Sequence, residues 1–167
     1  MAASRRSGFE GERIRVLSRK IAARALASPV TSQLLVTDCG YFPRAAEHRR
    51  SRPHGAGQAI IIVCTEGRGW CELGGHRLQL GPGESLVIPT GAPHVYGCDP
   101  GAPWTVWWLH VTGRDADALV AATGDRPVLR VSRLAAAVEL IDEAITALET
   151  DDSPGSLLTA SGAAWHL

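Results

Sequence analysis

Three groups of side chains in this 167-residue chain have the types and spacing to handle a small molecule. His94 and Tyr96 are two apart, Trp104, Val106, Trp108 and His110 recur at every second position, and a polar run over residues 41–57 holds His48, Arg52 and His54. Side chains alternate across an extended strand. His94 and Tyr96 therefore share a face opposite Val95, and the Trp104 set shares one opposite Thr105, Trp107 and Leu109. An imidazole and a phenol side by side on an inward face would make a polar floor in an apolar pocket. A histidine on a strand also occurs as a satisfied core or surface residue, so the frame around His94 decides its meaning.

That frame reads strand, tight turn, strand over residues 83–98. Residues 85–88 are a short run rich in β-formers, and Pro89, Thr90 and Gly91 supply a fixed φ and a residue free to take positive φ. Upstream, residues 32–38 form a first strand ended by Gly40, and residues 41–57, Arg-rich and broken by Pro43, Pro53, Gly55 and Gly57, read as a long loop of the kind that often carries function. A solvated loop explains its His48, Arg52 and His54 equally well. Residues 58–64 are a continuous apolar run expected to be buried on both faces. A turn at 65–69 leads into a hairpin, strands 70–73 and 76–80, around Gly74 and Gly75, a pair suited to a primed turn. Residues 104–111 are an aromatic and β-branched strand. Short strands at regular spacing with Gly and Pro at the joints predict an antiparallel barrel or jelly roll.

The pattern changes at Gly113. Residues 115–122 read as a short helix closed by Gly124, and residues 127–131 as an extended connection. Residues 133–149 are the clearest helix, with Leu134, Val138, Ile141, Ile145 and Leu148 spaced four, three, four, three. Such spacing is the seam of a coiled coil over about two heptads, and equally the face of a helix packed on its own barrel. Ser153 and Pro154 are an N-cap and first helical position for one more helix. No stop signal follows before Leu167, so the sequence reads as a piece of a longer protein.

Net charge is zero and 45% of the residues are hydrophobic, which points to neither nucleic acid nor membrane as the direct partner of this segment. No apolar run approaches the length of a membrane span and no signal-peptide core follows the basic start, so a cytoplasmic protein is expected. Cys39, Cys64, Cys71 and Cys98 contain no Cys-x-x-Cys pair and suggest reduced thiols in strand positions. Residues 1–28 carry seven basic and two acidic side chains with little periodicity, which reads as a flexible arm (residues 1–30).

The frame Gly83, Pro89, Gly91, His94 resembles the second conserved motif of the cupin superfamily, with Cys98 where the motif usually ends in Asn. Further along, Gly67-Arg68-Gly69-Trp70, Gly81-Pro82-Gly83-Glu84, residues 88–97 and the aromatic strand from Trp104 resemble, over residues 31–167, the N-terminal domain of AraC/XylS-family transcription regulators. The resemblance implies a mainly β fold with C-terminal α: a cupin-type double-stranded β-helix (jelly-roll barrel) at residues 31–112, then a helical hairpin at 113–167. It implies a small effector in the barrel, often a sugar, a homodimer formed by the helices, and helix-turn-helix units, absent from this sequence, that contact DNA. No catalytic residue, cofactor, metal or membrane partner is expected.

Carried over by position, the resemblance implicates Tyr96, and Trp108 as the platform on which a sugar ring packs. Glu66 and Val106 stand where an arginine and a histidine occur in the arabinose-responsive prototype. A carboxylate accepts hydroxyls where a guanidinium donates, so a sugar other than arabinose is expected. His94, His48, Arg52, Trp70 and His110 complete the candidate ligand set, and Leu134, Val138, Ile141, Ile145 and Leu148 the candidate dimer interface. Trp107 is assigned to the core. His48, Arg52 with Pro53 and the Trp70 turn also resemble regulators of melibiose and raffinose use, favouring a larger sugar. Two rivals stand beside this reading. A metal-dependent cupin enzyme needs three or four ligands, but Ile60 occupies the position expected for its Glu. A stand-alone sugar-binding module would need the chain to stop soon after Leu167.

Overall fold

The computed structural model describes residues 8–124 and 126–167. These residues form ten strands and four helices in order: β1 (Arg13–Val16), α1 (Arg19–Leu26), β2 (Leu35–Phe42), β3 (Arg49–Arg52), β4 (Ala59–Glu66), β5 (Gly69–Leu73), β6 (His76–Leu80), β7 (Glu84–Ile88), β8 (His94–Cys98), β9 (Thr105–Thr112), α2 (Ala116–Ala122), β10 (Val128–Arg130), α3 (Leu134–Thr150) and α4 (Pro154–His166). The strands form a six-stranded sheet, β1-β2-β9-β4-β7-β10, and a four-stranded sheet, β3-β8-β5-β6. Every pairing is antiparallel, as the spacing of strands and turns predicts for a jelly roll. Gly74 and Gly75 both take positive φ in the β5–β6 turn.

The six-stranded sheet separates two cores. One lies between the sheets and contains Trp104, Tyr96, Phe42, Ile60, Ile62, Leu86 and Val106. The other lies between the sheet and the helices and contains Leu35, Val36, Val63, Leu109, Val111, Ile141, Ile145, Leu148 and Leu157. Alternation along β9 puts Leu109 and Val111 in the helix-side core and Trp104, Val106 and Trp108 in the barrel. Trp107 follows Leu109, packing on Tyr41 at 4.2 Å, in agreement with its assignment to the core.

Two expectations need correction. Residues 8–30 are not a loose arm. β1 pairs along β2, Ile14 and Leu17 are buried, and Ser18 caps α1 by accepting from the Ile21 amide at 3.3 Å. Arg13-Ile14-Arg15-Val16 is too short a period-two stretch to stand out, yet burial of each aliphatic side chain is worth about 1.5–3 kcal/mol. Arg5 and Arg6 lie outside the described residues. The polar run at 41–57 also contains β3, an edge strand on β8 whose Arg-Arg-Ser-Arg sequence carries no hydrophobic alternation.

The helical expectations match in position. Ser153 Oγ accepts from the Ser156 amide at 3.2 Å ahead of Pro154, and the extended stretch after α2 returns to the barrel as β10 on β7. The seam on α3 has another use than pairing with a second chain. Ile141, Ile145 and Leu148 are completely buried against the chain's own sheet and α4. Leu134 and Val138 are half-buried, and the outward positions are polar or small, with Glu139, Glu143 and Thr146 exposed. Ile141, Ile145 and Leu148 are therefore core rather than a dimer interface, because one apolar stripe cannot face two partners.

Candidate functional site

Between the sheets lies a cavity of about 140 Å³. β2 and β9 supply Asp38, Phe42, Val106, Trp108 and His110, β3 and the turn before it supply His48, Arg50 and Arg52, β8 supplies Tyr96, and β1 and β4 close it with Ile14, Val16, Ile60 and Ile62. Of the candidate ligand residues, Tyr96, Trp108, Val106, His48, Arg52 and His110 come together here.

Two local devices aim these side chains. Register shifts between Val36 and Asp38 on β2, a bulge that lets Val36 face the helices while Asp38 faces the cavity. Gly40 pairs with Trp108, and a Cβ there would lie 2.6 Å from the indole and 2.5 Å from the Arg13 carbonyl oxygen. Only glycine lets the Trp108 ring lie against β2 with β1 still in place. Phe42 then packs 5.4 Å from Trp108, and Phe9 meets Phe42 at 5.3 Å and His48 at 5.7 Å.

The polar groups are mostly donors. Arg52 Nη1 donates to the Tyr96 hydroxyl at 3.4 Å. Buried Trp104 donates its Nε1–H to His48 Nδ1 at 3.2 Å. Burial, with Arg50 and Arg52 nearby, pushes the His48 imidazole down to about 4. A neutral imidazole that accepts at Nδ1 carries its proton on Nε2, and that buried Nε2, like the Nε1 of Trp108, has no partner in the protein. Asp38 is the acidic member. Burial alone would raise its carboxyl, but His110, Thr37 and Arg52 together bring it below the usual carboxylate range. Thr37 donates to it at 2.6 Å and His110 Nδ1 lies 3.6 Å away.

Three expected residues lie elsewhere. A register shift between Cys64 and Glu66 on β4 leaves Cys64 inside and turns Glu66 outward, where it accepts from the Thr105 hydroxyl at 3.3 Å. Trp70 precedes inward-facing Cys71, so alternation puts it outside, with the Arg77 guanidinium 4.1 Å from its ring. His94 stands behind Tyr96 rather than among the lining residues. Its Nδ1 is held 2.7 Å from the Ala92 carbonyl oxygen and its ring stacks on Tyr96 at 5.8 Å. Burial lowers its pKa, partly opposed by that carbonyl. Exposed His54 also stays outside the cavity.

Asp38, Arg50 and the aliphatic wall were not anticipated. His48, Arg50 and Arg52 do recur at every second position, a signal hidden because the stretch has no apolar partner residues. Arg13 and Arg15 leave the opposite face of β1 from Ile14 and Val16 and reach the helical layer. Arg13 pairs with Asp142 and, at 2.7 Å, with Glu149, and Arg15 meets Asp152 at 3.4 Å. β1 is thus wall of the cavity on one side and tied to α3 on the other.

Comparison with known proteins follows this geometry. The AraC-like ligand binding domain family matches residues 36–167. The MmsAB operon regulatory protein of Pseudomonas aeruginosa is 32% identical over 102 residues, covering 59% of this chain and 33% of the relative, so the chain spans about a third of that protein's length. Among solved structures, YhaK from Escherichia coli aligns at TM-score 0.51 and 13% identity over 73% of this chain and 52% of its own, which bears on fold alone. KdgF from Halomonas sp. aligns at TM-score 0.41 and 20% identity, over 66% of this chain and 88% of its own. With the match spanning the barrel from β2 onward and helices α2 to α4, this chain belongs to the AraC-like ligand-binding domain family.

Proposed function

We propose that this domain senses a small polar effector inside the barrel and so controls DNA binding by a further part of a transcription regulator. The observation that carries the reading is that two of the residues lining the cavity, His48 and Trp108, each hold a buried donor, Nε2 and Nε1, without a protein partner. Buried polar atoms in folded proteins are nearly always paired, so a molecule in the cavity completes them. Coupling would run through β1, whose cavity-lining residues alternate with Arg13, paired to α3, and Arg15, paired to Asp152 just after it.

Size limits the effector. An engineered cavity of about 150 Å³ accepts a benzene-sized molecule, so 140 Å³ suits a small molecule and leaves no room for a melibiose-type disaccharide. A single sugar ring resting on Trp108 with Tyr96 at its hydroxyls is the upper bound of this reading. Among the described residues no group of three His, Cys, Asp or Glu could hold a metal ion, and burial raises the Cys39, Cys64 and Cys71 thiols to about 12, 11 and 11. No described helix is long and apolar enough to cross a membrane, and control of DNA would place the protein in the cytoplasm. A homodimer, which the family resemblance implies, would have to use a surface other than Ile141, Ile145 and Leu148.

A melting-temperature screen over small polyols, monosaccharides and organic acids tests the reading. A ligand that binds only the folded state raises the transition by mass action. A stabilising compound is expected, with its shift abolished in a folded Trp108→Ala variant. If no compound shifts the wild-type transition at millimolar concentration, or if the shift survives in that variant, the barrel cavity is not the effector site.

A further inference from the structure

We infer that His48 is the specificity-determining donor of the barrel site and that Trp104 is its positioning residue. The buried indole N–H holds the imidazole as the Nε2–H tautomer, and the effector is a small oxygen compound that brings a carbonyl, ether or hydroxyl acceptor to that hydrogen. This rests on the reading of the barrel cavity as the effector site and assigns the group by which a guest is recognised.

The tautomer follows from what an indole can do. Trp104 is completely buried, and its Nε1–H donates to His48 Nδ1 at 3.2 Å. An indole nitrogen only donates. Nδ1 must therefore accept, since a proton there would set two N–H groups against each other. The indole itself is tightly seated: a Cβ at Gly69 would lie 2.0 Å from its ring. The second glycine of Gly67-Arg68-Gly69 thus admits Trp104.

The backbone fixes His48 from the other side. Its carbonyl oxygen accepts from the Cys98 amide of β8 at 2.9 Å, and the Ala45 amide donates to the Trp104 carbonyl oxygen at 2.8 Å. The Arg44 amide donates to the Thr105 hydroxyl at 3.1 Å. Among these ties Arg44 and Glu47 take positive φ, 41° and 58°, a left-handed conformation that residues with a Cβ rarely adopt and that persists where surrounding contacts over-determine it. Phe9, Phe42, Tyr96 and Trp104 pack around the imidazole with ring centroids 5.1 to 5.8 Å away. In a ring so held, the direction of Nε2–H is set before any guest arrives, which lowers the ordering cost of binding.

That hydrogen has no acceptor in the protein, and neither has the Trp108 Nε1–H; both residues line the cavity. Burial keeps the imidazole neutral, so it selects an acceptor rather than a charge. An apolar guest would leave both donors unpaired, whereas an oxygen compound completes them.

The test is nitrogen NMR of the intact chain with isotope-labelled histidine, the His48 signals being identified by their absence from His48→Gln. The proton is expected on Nε2, and Trp104→Phe, which keeps a ring and removes the donor, should give a mixture of tautomers. Cyclopentanone and cyclopentene are the probes, alike in ring size and differing in the acceptor oxygen. Cyclopentanone should shift the His48 and Trp108 N–H signals and bind about tenfold more tightly than cyclopentene, in the range for a buried donor left unpaired. His48→Gln, whose amide can accept from Trp104 and donate to the guest, should keep most of that preference, and His48→Leu should abolish it. Should Trp104→Phe fail to fold, the wild-type spectrum and the Gln and Leu variants decide. A proton on Nδ1, or an unchanged tautomer in a folded Trp104→Phe, overturns the positioning role. If cyclopentene binds as well as cyclopentanone, or the preference survives in a folded His48→Leu, the acceptor assignment falls while the cavity reading stands. If neither ring shifts either signal, the acceptor assignment falls and the melting-temperature screen decides the cavity reading by itself.

Discussion

The two cores on either side of the six-stranded sheet share the strands of that sheet and differ in how completely they close. On the helix side, Ile141, Ile145, Leu148, Leu109 and Val111 are wholly buried. Branched aliphatic chains from a sheet and two helices interdigitate to crystal-like density. Inside the barrel the other faces of these strands present Trp108 and Asp38, the β3 region and β8 of the four-stranded sheet add His48, two arginines and Tyr96, and a cavity remains. Rings with few rotamers and polar atoms at set directions cannot collapse into the leftover space. One core holds the domain together, and the other keeps room for a guest.

Breaking the closed core should have the largest effect. Ile141→Asp puts an unpaired charge where no partner exists and is expected to cost about 3–5 kcal/mol, a large part of the ~5–15 kcal/mol that holds a typical domain. Urea unfolding should show loss of a cooperative transition, whereas an α3 seam used only for dimerisation would yield a folded monomer by light scattering.

Acid should open the barrel core next. The His48 pKa is about 4 in the folded protein, below the ordinary 6.5, so between those values the unfolded chain takes up a proton that the folded chain refuses. The stability from this group is therefore complete above about pH 6.5, declines as pH falls, and is gone near 4, a change on the order of 3 kcal/mol. Buried His94 is shifted in the same direction. Asp38, held below its usual value, adds a further loss only as its own carboxylate protonates. Melting temperatures from pH 7 to 4 should fall more steeply for the wild type than for His48→Gln, and parallel curves would mean that His48 is not buried neutral.

The smallest effect sharpens the contrast most directly. Val111→Ile adds one methylene to the closed core and should cost about 1–3 kcal/mol. Val106→Ile adds the same group beside the cavity and should be tolerated, while weakening any ligand found there. Equal costs at the two positions would mean that the two cores are packed alike.

Much of this was legible in local pattern. The Ser153-Pro154 start of α4, the Gly74-Gly75 turn and the alternation along β9 depend on neighbours within a few residues, and each was readable before any coordinates. Trp108 could be assigned to the cavity and Trp107 to the other face for the same reason. Glu66 could not be placed, because a bulge after Cys64 reverses the face that counting predicts. Trp70 and His94 lie on the correct strands, but alternation from Cys71 and the Ala92 carbonyl direct their rings away from the cavity. Arg50 was hidden in a strand with no hydrophobic alternation to reveal it.

By itself the sequence determined the jelly roll and the helices behind it, because periodicity, caps and turn residues act through bonds and nearest neighbours, and its motif residues from Gly83 to His94 carried the family resemblance. Only the tertiary structure decided which polar side chains meet. Asp38 comes from β2, His48, Arg50 and Arg52 from the β3 region, Tyr96 from β8, and Trp108 and His110 from β9. Two bulges and one close glycine contact set their directions. Whether the stripe on α3 faces a second chain or its own sheet was likewise decided there, since a helical period states that a face is buried and leaves open what buries it.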